Sequence, residues 1–96
     1  MFILVSYDIG ETQDKAGAKR LRKVAQACEN YGQRVQYSVF ECNVSDVEWT
    51  KLKLALLKTY DSNKDSLRFY HLGSSQARIE HYGAKPSTDF EGALIV

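Results

Sequence analysis

The chain opens on Phe2-Ile3-Leu4-Val5-Ser6-Tyr7-Asp8, an apolar run that ends on a carboxylate. Five of its seven residues are β-branched, aromatic or aliphatic, with no helical period among them, so the run reads as a strand. Alternation places Phe2, Leu4, Ser6 and Asp8 on one face and Ile3, Val5 and Tyr7 on the other. The first face turns polar toward its end, and Gly10 then breaks the run. Asp8 therefore sits at the mouth of a buried strand, where a loop and a helix N-terminus should follow. Position alone leaves two roles open to it, the cap of that loop or a chemical group.

A chain of 96 residues makes one domain, able to bury roughly 60–65% of its unfolded surface. With 44% hydrophobic and 26% charged residues the composition is that of an ordinary globular protein. Thirteen basic against twelve acidic residues leave a net charge of +1, so the molecule as a whole is no polyanion binder. Cys28 and Cys42 are too few for a disulfide scaffold and are expected as reduced core residues. The opening Met1–Val5 is too short for a signal or a membrane span. The expectation is a soluble, cytoplasmic, single-domain protein.

Ile9 to Ala16 is a polar loop in which Thr12 or Asp14 can cap a helix. From Ala16 to Tyr31 the positions Ala18, Leu21, Val24/Ala25, Cys28 and Tyr31 recur at three and four, the stripe of an amphipathic helix. Gly17 weakens its first turn by up to about 1 kcal/mol, and Gly32 is expected to end it as a C′ residue. Gln33 to Asn43 alternates as strand, with Val35, Tyr37 and Val39 on one side and Arg34, Gln36, Ser38, Phe40 and Cys42 on the other. It holds no Gly or Pro turn, so a straight strand and a bent pair both remain open. Ser45-Asp46-Val47-Glu48 has the spacing of a capping box and starts a second helix. Trp49, Leu52, Leu56 and Leu57 face its core, and Lys51, Lys53 and Lys58 fall mostly elsewhere. After a loop over Tyr60–Asp65, Ser66–Leu72 alternates, Leu67 and Phe69 opposite Arg68 and Tyr70. A turn at Gly73-Ser74-Ser75 and a short strand over Arg78–Tyr82 follow. A polar tail holding the one proline, Pro86, ends on Ala93-Leu94-Ile95-Val96, and this apolar end is expected to add a strand to a sheet edge.

Two helices over one face of a small sheet predict an α+β sandwich of the ferredoxin-like kind, which requires Gln33–Asn43 to bend. The other face of the sheet is left open, and a homodimer through it is the simplest cover.

Between Lys15 and Arg34 the residues Lys15, Lys19, Arg20, Arg22, Lys23 and Arg34 face only Glu29, a local charge of +5. They form either a solvated helix face or a grip on nucleic-acid phosphates that neutralises charge without reading bases. His71 and His81 lie on different strands with no ligand spacing and are read as strand-surface or interface residues. No zinc pattern, Walker loop or nucleophile elbow is present. Asp8 is one hard oxygen ligand, and magnesium is often held by one or two carboxylates. A two-fold dimer bringing two copies of Asp8 together could hold one Mg²⁺ and neutralise a phosphodiester oxygen.

Three stretches carry a resemblance across essentially the whole length. They are Val5-Ser6-Tyr7-Asp8-Ile9, Arg20-Leu21-Arg22-Lys23-Val24-Ala25, and Tyr31-Gly32-Gln33-Arg34-Val35-Gln36-Tyr37-Ser38-Val39-Phe40-Glu41-Cys42. The chain resembles the CRISPR-associated Cas2 proteins, ferredoxin-like homodimers of the spacer-acquisition machinery. Gly83-Ala84-Lys85-Pro86 with the apolar end looks like the branch associated with type I-C systems. The resemblance implies an antiviral-defence endonuclease, a phosphodiesterase in which Asp8 of both subunits binds Mg²⁺ or Mn²⁺. It implies activity roles for Tyr7, Arg34 and Phe40, and approximate matches for Arg20 and Arg22 beside Lys19 and Lys23. It also implies that the tail 83–96 crosses to the partner subunit. Substrates in the family include single-stranded RNA and double-stranded DNA. Two alternatives stand beside the nuclease: a non-catalytic DNA-binding scaffold bridging CRISPR integrase dimers, and a toxin-type endoribonuclease on the same fold.

Overall fold

The computed structural model describes residues 1–73 and 77–84. In chain order they form β1 (Phe2–Asp8), α1 (Lys15–Glu29), β2 (Gln33–Gln36), β3 (Val39–Asn43), α2 (Asp46–Thr59), β4 (Ser66–Leu72) and β5 (Arg78–Gly83). Among the described residues the strands make one five-stranded sheet ordered β2-β3-β1-β4-β5, antiparallel at every pairing. The first four strands and both helices are the expected ferredoxin-like sandwich, and β5 extends its β4 edge. The tail 83–96, with the strand expected at Ala93–Val96, lies outside the described residues apart from Gly83 and Ala84. So do Ser74 and Ser75 of the expected turn.

Burial follows the period-two pattern of β1. Ile3, Val5 and Tyr7 are buried beneath the helices, joined by Phe40 and Cys42 of β3 and Leu67 and Phe69 of β4. Val24 and Cys28 of α1 and Trp49, Leu52 and Leu56 of α2 close the layer from above. Each such side chain contributes roughly 1.5–3 kcal/mol relative to exposure. The two thiols are free and buried, and burial pushes Cys28 up to about 12 and Cys42 to about 11.

The run Gln33–Asn43 is bent. Its two halves pair Gln33 with Glu41 and Arg34 with Phe40, and the register shifts before Gln36 meets Val39, a bulge of the kind that turns a strand. With neither Gly nor Pro available, donors from elsewhere hold the turn. Arg34 Nη1 and the Tyr7 hydroxyl both donate to the Tyr37 carbonyl, at 2.8 and 3.5 Å. The Tyr7 backbone N–H donates to the Ser38 carbonyl at 3.1 Å.

Both helices start near their expected caps. Ser45 and Glu48 exchange the reciprocal bonds of a capping box, at 2.9 and 3.2 Å. Asp14 occupies the N-cap of α1 without a side-chain bond. Gly32 plays a different part from the one expected. Asn30 is the C-cap, and Gly32 is needed because a Cβ there would stand 2.5 Å from Cys42 Sγ and from the Glu41 carbonyl oxygen. At Gly17 a Cβ would meet the Glu11 carbonyl oxygen at 2.0 Å. That glycine weakens the helix locally and lets the loop after β1 lie against it.

His71 also departs from expectation. It shares the core face of β4 with Leu67 and Phe69, sits edge-on to Trp49 at 5.6 Å, and is buried. Burial is tolerated because its Nε2 is paired with the Glu80 carboxylate. No described helix is long and apolar enough to cross a membrane.

Candidate active site and nucleic-acid surface

Because Ile3, Val5 and Tyr7 take the helix side, Phe2, Leu4, Ser6 and Asp8 fall on the face of the sheet that no described helix covers. β4 pairs with β1 so that Asp8 stands opposite Ser66 and Ser6 opposite Arg68. These four residues, with Tyr7, line a depression of about 250 Å³. Asp8 and Arg68 are diagonal cross-strand neighbours, a spacing that long side chains span. One strand further, Arg68 stands opposite His81, whose Nε2 is hydrogen-bonded to Ser66 Oγ at 3.1 Å. Burial and the adjacent Arg68 charge push His81 below its ordinary value, so the ring is neutral at physiological pH. The face turns apolar away from this end: Phe2 and Leu72 are exposed, and Leu4, Tyr70 and Ile79 are half-buried.

The other three expected catalytic residues gather on the helix side. Tyr7 and Phe40 are buried and stacked, their centroids 6.2 Å apart. Arg34 lies 5.0 Å over the Phe40 ring and donates to Glu29 at 3.3 Å. Burial, then the neighbouring Cys28, raises the Tyr7 hydroxyl above its ordinary value despite the Arg34 charge, so it remains a proton donor. Tyr7, Arg34 and Phe40 thus form one cluster around the β2–β3 turn, and the pleat turns Asp8 away from it.

The basic helix divides as well. Lys19, Arg22 and Lys23 are exposed. Lys19 and Lys23 share a groove of about 320 Å³ with Arg20, Lys58 and Thr59. Arg20 itself turns inward. Its Nε and Nη2 reach the two oxygens of Asp65, at 2.9 and 3.4 Å, and Nη2 also donates to the Gly10 carbonyl at 3.1 Å. Its charge is matched inside the protein, so of the four expected contacts Lys19, Arg22 and Lys23 remain exposed. They lie on the helix layer, the opposite side of the sheet from Asp8.

The family model for the CRISPR associated protein Cas2 matches residues 1–79. The chain belongs to the Cas2 family. It is 56% identical over 97 aligned residues to the CRISPR-associated endoribonuclease Cas2 of Chlorobaculum tepidum, covering 100% of both chains. It is 55% identical to the CRISPR-associated endonuclease Cas2 of Halalkalibacterium halodurans, covering 99% of both. The fold superposes on Streptococcus pyogenes Cas2 with a TM-score of 0.70 at 51% identity, over 78% of this chain and 89% of that one.

Within this Cas2 chain, Ser66, Arg68 and His81 are the site neighbours that the sequence pattern left unmarked. Alternation over Ser66–Leu72 assigns Arg68 a face, but only the pairing of β4 with β1 brings it to Asp8. Among the described residues no three His, Cys, Asp or Glu side chains converge on a metal position. The lining of the depression holds one carboxylate, the exposed Asp8. That fits magnesium, which keeps most of its waters and takes one or two carboxylates.

Proposed function

We propose that this Cas2 chain is a metal-dependent endonuclease that hydrolyses phosphodiester bonds in RNA or DNA during spacer acquisition, with Asp8 as the metal ligand. The observation that carries the reading is the placement of Asp8, an exposed carboxylate on the open sheet face at the edge of a depression that also holds Arg68. The names of the relatives, an endoribonuclease and an endonuclease, support the same reaction class. A homodimer through the open face would cover Phe2, Leu4, Tyr70, Leu72 and Ile79, and would place two copies of Asp8 at the polar end. Those two carboxylates would hold Mg²⁺ or Mn²⁺. When bound, the ion supplies the positive charge that offsets the growing negative charge on the phosphodiester. Tyr7, Arg34 and Phe40 act at one remove: by fixing the β2–β3 turn against the end of β1 they hold Asp8 in place.

A second reading rests on one observation. Lys19, Arg22 and Lys23 lie on the layer opposite Asp8, so duplex DNA held there has no need of the carboxylate. In that reading the protein is a non-catalytic scaffold between CRISPR integrase subunits.

Wild type and Asp8→Ala, assayed on labelled single-stranded RNA and duplex DNA with and without Mg²⁺, separate the two. Metal-dependent cleavage lost in the variant supports the nuclease and names its substrate. Cleavage retained by Asp8→Ala removes Asp8 from the reaction. Duplex binding without cleavage in either protein favours the scaffold.

A further inference from the structure

Nucleic acid brought to Asp8 presents a negative phosphodiester to a negative carboxylate, and a cation of the protein on the same face would hold the phosphate there alongside the charge a metal supplies. Strand registers decide which one it is. The uncovered face carries Phe2, Leu4, Ser6 and Asp8 on β1, with Val39, Glu41 and Asn43 on β3. Ser66, Arg68, Tyr70 and Leu72 follow on β4, and Ile79, His81 and Gly83 on β5. Arg34 and Arg78 pair with Phe40 and His71, on the helix side. Among the described strand residues, Arg68 is therefore the one permanently charged cation on the face of Asp8.

We propose that Arg68 binds the substrate phosphodiester at the Asp8 site, and that Ser66 and His81 position it. The inference rests on the nuclease reading of Asp8 and names its substrate contact. A guanidinium offers a planar fork that takes two phosphate oxygens at once, and the diagonal spacing from Asp8 puts one phosphate within reach of both residues. Ser66, the register partner of Asp8, sits two residues before Arg68, and its hydroxyl is tied to His81 on the next strand. This pair stands along the flank of Arg68, whose register partner is His81. The depression of about 250 Å³ is lined by both Asp8 and Arg68, and a contact to phosphate oxygens there reads no base. Of the α1 cations, Arg20 is committed to Asp65 and the Gly10 carbonyl, and Lys19, Arg22 and Lys23 belong to the helix layer.

The test is binding of short single-stranded RNA by anisotropy in EDTA over a salt series, with cleavage in Mg²⁺ measured alongside. Arg68→Ala should weaken metal-free binding about tenfold and reduce the salt slope by about 0.7. In cleavage it should raise KM. Arg68→Lys should keep the slope and recover only part of the affinity, because an ammonium lacks the fork; it also guards against a folding defect in the alanine variant. Affinity, slope and KM unchanged in Arg68→Ala overturn the proposal, even if Asp8→Ala has lost cleavage as the nuclease reading requires. Cleavage that survives Asp8→Ala, while Arg68→Ala still loses affinity, removes Asp8 from the reaction and upholds Arg68 as the phosphate contact.

Discussion

Arg20 on α1 and Asp65, the residue before β4, form an ion pair at 2.9 Å in which the carboxylate side chain has no exposed surface. Asp65 also accepts the backbone N–H groups of Gly10 at 2.9 Å and Asp61 at 2.8 Å. Gly10 lies two residues past Asp8, and Asp65 precedes Ser66. One carboxylate thus ties down both backbones that flank the candidate site. Burial pushes the Asp65 carboxyl up, but the bonds from Arg20, Asp61 and Gly10 outweigh it and hold it below its ordinary value.

Arg20→Ala should therefore act on stability before it acts on binding. Removing one member of a buried pair strands the other charge, and for a domain of this size the Tm should fall by at least about 10 °C. Arg22→Ala, on the exposed face of the same helix, should shift the Tm by no more than about 4 °C. Thermal unfolding of the two variants checks this, and equal Tm values would show that the Arg20 pair contributes nothing particular.

Glu80 predicts a pH dependence. Its carboxylate accepts Lys53 and the Tyr82 hydroxyl and pairs with His71 Nε2, at 2.5, 2.9 and 2.5 Å. Burial alone would raise its pKa, but Lys53, His71 and Tyr82 outweigh it and bring it from 4.5 to about 2. A folded-state value below the unfolded one means stability that is fully present above about pH 4.5 and is lost as pH falls toward about 2. Glu80→Gln should be less stable than wild type at pH 7 and should lose less between pH 5 and pH 2. Urea unfolding across that range measures the difference between the two proteins. Parallel curves would remove Glu80 from the acid response, leaving Asp65, whose lowered value works in the same direction.

The helix grip is tested by charge reversal at Lys19, Arg22 and Lys23, leaving Arg20 intact so that folding does not confound the result. Each reversal should weaken duplex DNA binding and lower the salt slope by about 0.9 for every phosphate that is no longer neutralised. The Tm should hold. A slope that matches wild type would assign these residues to solvent alone.

Much of the architecture is legible in the chain because it is encoded over short spans. The alternation of Phe2–Asp8 sorts Tyr7 from Asp8, the spacing of Leu21, Val24 and Cys28 marks a helix, and Ser45 with Glu48 announces the start of another. The bend in Gln33–Asn43 stays open at that level because Arg34 and Tyr7 hold its turn in place of a turn residue. The burial of His71 escapes the pattern because its partner, Glu80, is on another strand.

The site divides along the same line. Membership of the Cas2 family, the strand that ends on Asp8 and the run of positive charge along α1 are properties of the linear chain, since motif and period act between residues a few positions apart. Folding alone turns Arg20 to an aspartate 45 residues away, gathers Tyr7, Arg34 and Phe40 behind the sheet, and sets Ser66, Arg68 and His81 beside Asp8. Those relations depend on which strands become neighbours. That is settled by burying one face of the sheet beneath two helices, and the spacing of the residues along the chain carries no record of it.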